Sequence, residues 1–161
     1  MSGLVGYLHL EGEIHQNIKG SCLNEKHKDW IEVLEFRHEM KVPYNENDTT
    51  LKGDTKQKPL RIWKEWDKSS PLLQEALVLG EHFKSVKIEW YRRIGNNREP
   101  QVFFTHQLTT AKIVGIKTRM LNRDDETKTR YPQHIEEVSF MFEKAEWVWK
   151  PDNVTGKFSI R

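Results

Sequence analysis

The residues able to do chemistry in this chain are seven histidines, a single cysteine, an acidic run and six tryptophans. A zinc site needs three or four ligands converging at about 2.0 to 2.3 Å, and neither an HExxH pair nor a Cys/His pair at ligand spacing occurs. His9 and His15 lie too far apart to share a site on one strand, and His106 and His134 could meet only across neighbouring strands. No metal ligand is assigned. Asp124, Asp125 and Glu126 form the densest acidic cluster, yet Arg123, Lys128 and Arg130 surround them, so the run neutralises itself. Cys22 sits in a polar, turn-like stretch with no nucleophile motif, and GxSxG, P-loop and GxGxxG patterns are absent. The chain reads as a non-enzyme without a cofactor. Isolated acid and base groups such as Glu35 and His38 leave a small hydrolase as a distant third class. Trp30, Trp63, Trp66, Trp90, Trp147 and Trp149 could stack on sugars or bases, but most of them occupy strand positions where large side chains fill cores or contacts.

These residues belong to a chain of 161, long enough for one domain with a sizeable core, and no composition shift marks a second. The expectation is a single domain over 1–161, with 151–161 as a short tail of unassigned role. The 26 basic and 24 acidic residues are interleaved, giving a net charge of +2 without any block of one sign. Nucleic acid is not an expected partner, since a phosphate-tracking surface needs clustered cations. Membrane insertion is not expected either, because no segment approaches the ~20 apolar residues of a spanning helix. One cysteine excludes an intrachain disulfide. The start, MSGLVGYLHLEGE, meets an acidic residue before a signal-type apolar run can form, so synthesis in the cytoplasm and export by a route without a cleaved signal are expected.

Most of the chain alternates with the two-residue period of strands. Leu4 to Leu10 reads as the first strand and Asp29 to Val42 as the second. In the second, Glu35, Arg37, Glu39 and Lys41 share a face opposite Leu34, Phe36, His38 and Met40. The stretch Pro43 to Gln57 has no periodicity and is long for a hairpin connection. Leu60, Ile62 and the Trp63/Trp66 pair then lead into a helix at about 70–80, with Ser70 as N-cap, Pro71 as first helical residue and Gly80 as stop. At about 100° per residue, Leu72, Leu73, Ala76, Leu77, Leu79 and Phe83 share its apolar face. Gln74, Glu75, Val78 and Glu81 take the other. Val86, Ile88 and Trp90 mark a half-buried strand that turns at Gly95-Asn96-Asn97. Two long strands follow, with parity switches near Thr109 to Gly115 and between Phe142 and Ala145. They flank an exposed, mixed-charge loop, Leu121 to Gln133. Long, bent antiparallel strands predict a mainly β fold: an antiparallel, two-sheet β-barrel with one flanking α-helix.

Five segments, in order, resemble the haemolysin-coregulated protein (Hcp) family of bacterial type VI secretion. They are YLHLEGEI (Tyr7–Ile14), HKDWIEVLEF (His27–Phe36), KPLRIWKEWDKSSPLLQEAL (Lys58–Leu77), WYR (Trp90–Arg92) and HIEEVSFMFEKAEW (His134–Trp147), within a likeness running from about Gly3 to Trp149. Gln16 to Lys26 matches loosely, and Pro151 to Arg161 has no counterpart in the pattern. The resemblance implies a barrel related to phage tail tubes, joined in hexameric rings that stack into a hollow tube. It implies spike, sheath and effector proteins as partners, and small effectors carried in the lumen. On that reading Val78, Glu75 and Gln74 on the helix face a neighbouring subunit. Tyr44, Leu51, Lys52 and Asp54 belong to a loop that reaches the next subunit or ring, and Glu35, Arg37 and Glu39 line the lumen. The competing expectation is a monomeric barrel that binds a sugar or lipid through aromatic contacts, which requires an open interior.

Overall fold

The computed structural model describes residues 5–128 and 132–160. The proposed starts at Gly3 and Leu4, Arg130 in the charged loop and the terminal Arg161 lie outside the described residues.

The elements follow in the order β1 (Val5–Gly12), β2 (Ile31–Val33), β3 (Glu35–Arg37), β4 (Met40–Lys41), β5 (Lys56–Gln57), β6 (Leu60–Glu65), α1 (Ser70–Leu79), β7 (His82–Arg92), β8 (Gln101–Met120), β9 (His134–Trp149) and β10 (Val154–Ser159). Eight strands form one antiparallel sheet, ordered β2-β1-β7-β8-β9-β6-β3, with β10 added to β9. The segment expected as one strand from Asp29 to Val42 is instead broken at Leu34, because β2 pairs with β1 at one edge and β3 pairs with β6 at the other. A single residue therefore joins the two edges, and the sheet must curl until they meet. The Leu34 N–H donates to the Trp63 carbonyl at 2.7 Å across that junction. The result is the expected barrel-like sheet, nearly closed where β2 and β3 meet, with β10 left as an edge beside β9.

β9 supports both halves of the closure: its first half pairs with β6 and its second with β10, while β8 runs along its other side. The tail of unassigned role is thus a strand that completes the sheet. The parity switches seen in the sequence are real irregularities. Register shifts between Ile113 and Gly115, and Val114 is left exposed. Phe142 and Ala145 are both buried, with Glu143 and Lys144 turned to solvent between them.

The interior is filled by Leu8, Leu10, Ile62, Ile88, Leu108 and Phe140, each at most 1 % exposed. Removing any of these side chains leaves a cavity with few atoms free to refill it. Helix α1 covers the sheet with Leu73 and Ala76, both sealed, and half-buries Leu72 and Leu77. Leu79 departs from the expectation at 53 % exposed, and Phe83 belongs to β7 rather than to the helix. Phe83 leaves the helical face because Gly80, with its left-handed backbone (φ 63°), caps the helix, so helical spacing no longer applies beyond it.

The helix start also differs. Ser69 is the N-cap and Ser70 the first helical residue, with Pro71 second in the turn. The Ser70 hydroxyl is drawn elsewhere, accepting from the Asp67 N–H at 2.9 Å and donating to Glu136 Oε1 at 2.8 Å. Asp67 supplies the turn instead, its Oδ1 accepting the Ser69 N–H at 2.8 Å.

Candidate assembly surfaces

The outer face of α1 carries the expected contact residues. Gln74 and Glu75 are exposed, and Val78 stands 83 % exposed at its centre. Ile14 and Leu79 are also exposed apolar residues, at 57 % and 53 %. This face is held rigidly from behind. Glu81, expected on the polar face, is buried because three donors converge on it: Oε2 accepts the N–H groups of Ile14 (2.9 Å) and His15 (2.7 Å), and Oε1 pairs with His15 Nδ1 (2.5 Å). The other ring nitrogen of His15 contacts Glu75 Oε1 at 2.9 Å, which ties the 12–17 segment to the helix. Hydrogen bonding to Glu81 raises the His15 pKa, with Glu75 adding to the effect. Burial pushes the Glu81 carboxyl up, but the hydrogen bonds from the His15 ring and from the two backbone N–H groups outweigh it and hold the group below its ordinary value. Gly12 is part of the same device, since a Cβ there would lie 2.0 Å from Glu81 Oε2.

The second surface is the stretch from Pro43 to Gln57. It is more ordered than its lack of periodicity suggests, because β4 and β5 pair at its base and a Tyr44–Leu51 bridge continues the ladder. The Lys52 N–H donates to the Pro43 carbonyl at 2.7 Å and the Asn45 N–H to the Thr50 carbonyl at 2.8 Å. Asp48 closes the tip by accepting from the Thr50 N–H (3.0 Å) and hydroxyl (2.7 Å). Turn chemistry, not strand alternation, builds this hairpin. Tyr44, Leu51, Lys52 and Asp54 are all exposed on it, and Gln57 anchors the base by donating to the Phe142 carbonyl at 2.5 Å.

Along β3 and into β4, Glu35, Arg37 and Glu39 are exposed while Phe36 and His38 turn inward, as alternation predicts. Each charge has an opposite neighbour. Arg37 Nε donates to Glu35 Oε1 at 3.2 Å, and Lys58 reaches Glu39 at 3.0 Å, holding the Glu39 carboxyl below its ordinary range. The strip is polar and nearly self-neutralised.

The residues weighed for chemistry do not converge. His106 lies opposite Trp147 and His134 opposite Met120, far apart along β9. His106 instead receives the Trp90 Nε1–H at 2.9 Å, and burial pushes its pKa down to about 4. Glu35 and His38 point to opposite faces. Asp124 and Asp125 pair with Arg123 and Lys128, as the composition of that loop suggests. The tryptophans are dispersed, with Trp30 against His27, Trp90 against Phe36 and Trp149 against Phe103, so no flat platform forms. Among the described residues no group of three His, Cys, Asp or Glu side chains could hold a metal ion.

One internal cluster escaped the sequence reading. Lys64 and Glu136 form a sealed pair at 2.5 Å, with Lys64 also 3.1 Å from Asp67 Oδ1. The signal was available, since Lys64 shares strand parity with Ile62 and Glu136 with Val138.

Comparison with known proteins agrees with this architecture. The sequence model of the family described as "Type VI secretion system effector, Hcp" matches residues 7–149. The "Major exported protein" of Pseudomonas aeruginosa is 32 % identical over 145 residues, covering 90 % of this chain and 83 % of that protein. The solved structure of Hcp1 from Escherichia coli EAEC 042 superposes with a TM-score of 0.82 at 28 % identity, covering 96 % of this chain and 97 % of that one. The secreted protein Hcp3 of Pseudomonas aeruginosa gives a TM-score of 0.77, also at 28 % identity, covering 97 % and 99 %. The match over residues 7–149 and the shared barrel with its single helix show that the chain belongs to the Hcp family of type VI secretion proteins.

Proposed function

We propose that this Hcp-family chain is a structural subunit of the type VI inner tube: six copies close into a ring, rings stack into a hollow tube, and the tube leaves the cell with small effectors in its lumen. The observation that carries the reading is Val78, a β-branched apolar side chain left 83 % exposed on a helix whose inner face is sealed by Leu73 and Ala76 and which His15 clamps. An apolar side chain at the centre of a rigidly held outer face suits a subunit contact. A ring closed by rotation needs two different complementary patches, and the α1 face serves as one of them. The projecting Tyr44–Leu51 hairpin suits contact between rings. Alternating, self-paired charges at Glu35, Arg37 and Glu39 suit a lumen wall to which passing protein does not adhere. Assembly takes place in the cytoplasm, where the spike, sheath and effector proteins are the further partners.

The filled interior leaves no room for a sugar or lipid inside the barrel, which disfavours the monomeric ligand-binding reading. Negative-stain electron microscopy of the purified protein tests the tube reading. Annular particles of uniform diameter are expected; a population of monomers at high concentration and low salt contradicts it.

A further inference from the structure

The outer face of α1 is held by a histidine placed between two carboxylates. His15 Nδ1 meets Glu81 Oε1 at 2.5 Å, and Nε2 meets Glu75 Oε1 at 2.9 Å. An ionised carboxylate only accepts hydrogen bonds, whereas a neutral imidazole has a single N–H to give. Both contacts are hydrogen bonds only while the ring carries two protons, so the geometry itself requires an imidazolium. Hydrogen bonding to Glu81 raises the His15 pKa above its ordinary 6.5, in keeping with that requirement. Glu81 and Glu75 are the two charges that act on the ring. Glu13, on the histidine's own segment, and His82, at the start of β7, are both exposed and meet through their backbones, the Glu13 N–H donating to the His82 carbonyl at 3.0 Å.

The two carboxylates fare differently when the proton leaves. The Glu81 side chain is sealed, and it keeps the N–H groups of Ile14 (2.9 Å) and His15 (2.7 Å) on Oε2. The one remaining ring N–H stays with it, because a buried carboxylate loses most by going without a donor. Glu75, whose side chain is 59 % exposed, has no other hydrogen bond or ion pair among the described residues. It precedes Val78 by three residues, so it becomes a bare carboxylate beside the apolar centre of the face. A subunit that packs there must strip water from this group, and covering an unpaired charge costs more than covering one that is paired and hydrogen-bonded. We infer that His15 is a pH-sensitive latch on assembly: while protonated it neutralises Glu75 and lets a second copy cover the α1 face, and loss of the proton leaves a lone charge that weakens the contact. The inference rests on the ring assembly proposed above. Assembly is strongest below the ordinary histidine value and weakens as pH rises through the raised value of His15.

Analytical ultracentrifugation of the intact protein between about pH 6 and about pH 8.5 tests the latch. The concentration for half-assembly should rise roughly tenfold over that range while circular dichroism stays unchanged. Two substitutions separate charge from structure. Glu75→Gln removes the charge that His15 neutralises, so its half-assembly concentration should vary by less than about twofold across the same range. His15→Gln leaves Glu75 bare at every pH, and at low pH it should assemble as weakly as the parent does at high pH; adding Glu75→Gln should restore assembly. A parent with no pH dependence, a dependence that persists in Glu75→Gln, or a His15→Gln defect that the second change does not relieve overturns the latch and leaves the ring standing. A parent that forms no assembly at any pH removes both.

Discussion

His15 and Glu81, 66 residues apart in the chain, are joined twice: the His15 N–H donates to Oε2 at 2.7 Å and its Nδ1 pairs with Oε1 at 2.5 Å. The clamp has a pH signature. A His15 pKa raised in the fold means stability that is fully present below the ordinary value of 6.5 and is lost as pH rises through the raised value. His106 has the opposite sign. Its pKa is pushed from 6.5 to about 4 by burial, so stability is full above 6.5 and falls as pH drops from there toward 4, by about 3 kcal/mol.

Urea unfolding across pH should therefore show a maximum near the ordinary histidine value, with decline on both sides. His15→Gln should flatten the alkaline limb and leave in place the part of the acid limb that His106 produces, while the part due to Glu81 weakens. An alkaline limb that persists in His15→Gln contradicts the assignment.

Lys64 and Glu136 give a second prediction. Removing one partner of a sealed ion pair strands the other, so Lys64→Met should cost about 3–5 kcal/mol. Replacing both, as Lys64→Met/Glu136→Leu, should recover only part of that loss, because Asp67 still loses its cation. The measurement is the urea midpoint, and a double variant as unstable as the single one would show that the pair does more than neutralise itself.

Gly80 offers a third. Its φ of 63° is one that side chains with a Cβ adopt at a cost, and the space around it is open, so Gly80→Ala should destabilise by about 1–2 kcal/mol through the backbone alone. Gly80→Asn should lose less, because asparagine tolerates the left-handed region.

Much of the fold can be read from periodicity, and the parts that cannot share a cause. β6, β7 and β9 alternate because one face of each meets the core, and the stop at Gly80 follows from its backbone freedom. The break at Leu34 has no local signal, since its residues alternate as one strand; only the meeting of two sheet edges divides them. Glu81 and Glu136 carry the sequence marks of surface residues and are buried by partners distant in the chain, His15 and Lys64. The exposure of Val78 follows directly from helical spacing, and so do the outward charges of Glu35, Arg37 and Glu39. What no spacing rule conveys is the recess lined by Trp66, Gln74, Thr118 and Glu136, which α1, β8, β9 and the turn after β6 create jointly.

Native mass spectrometry of the intact protein beside Val78→Glu tests the central claim most directly. The parent chain should appear at six times the mass of the 19.2 kDa protomer, and the variant should shift to the protomer while remaining folded by circular dichroism. A parent chain that remains a single protomer across the concentration range contradicts the tube-subunit account.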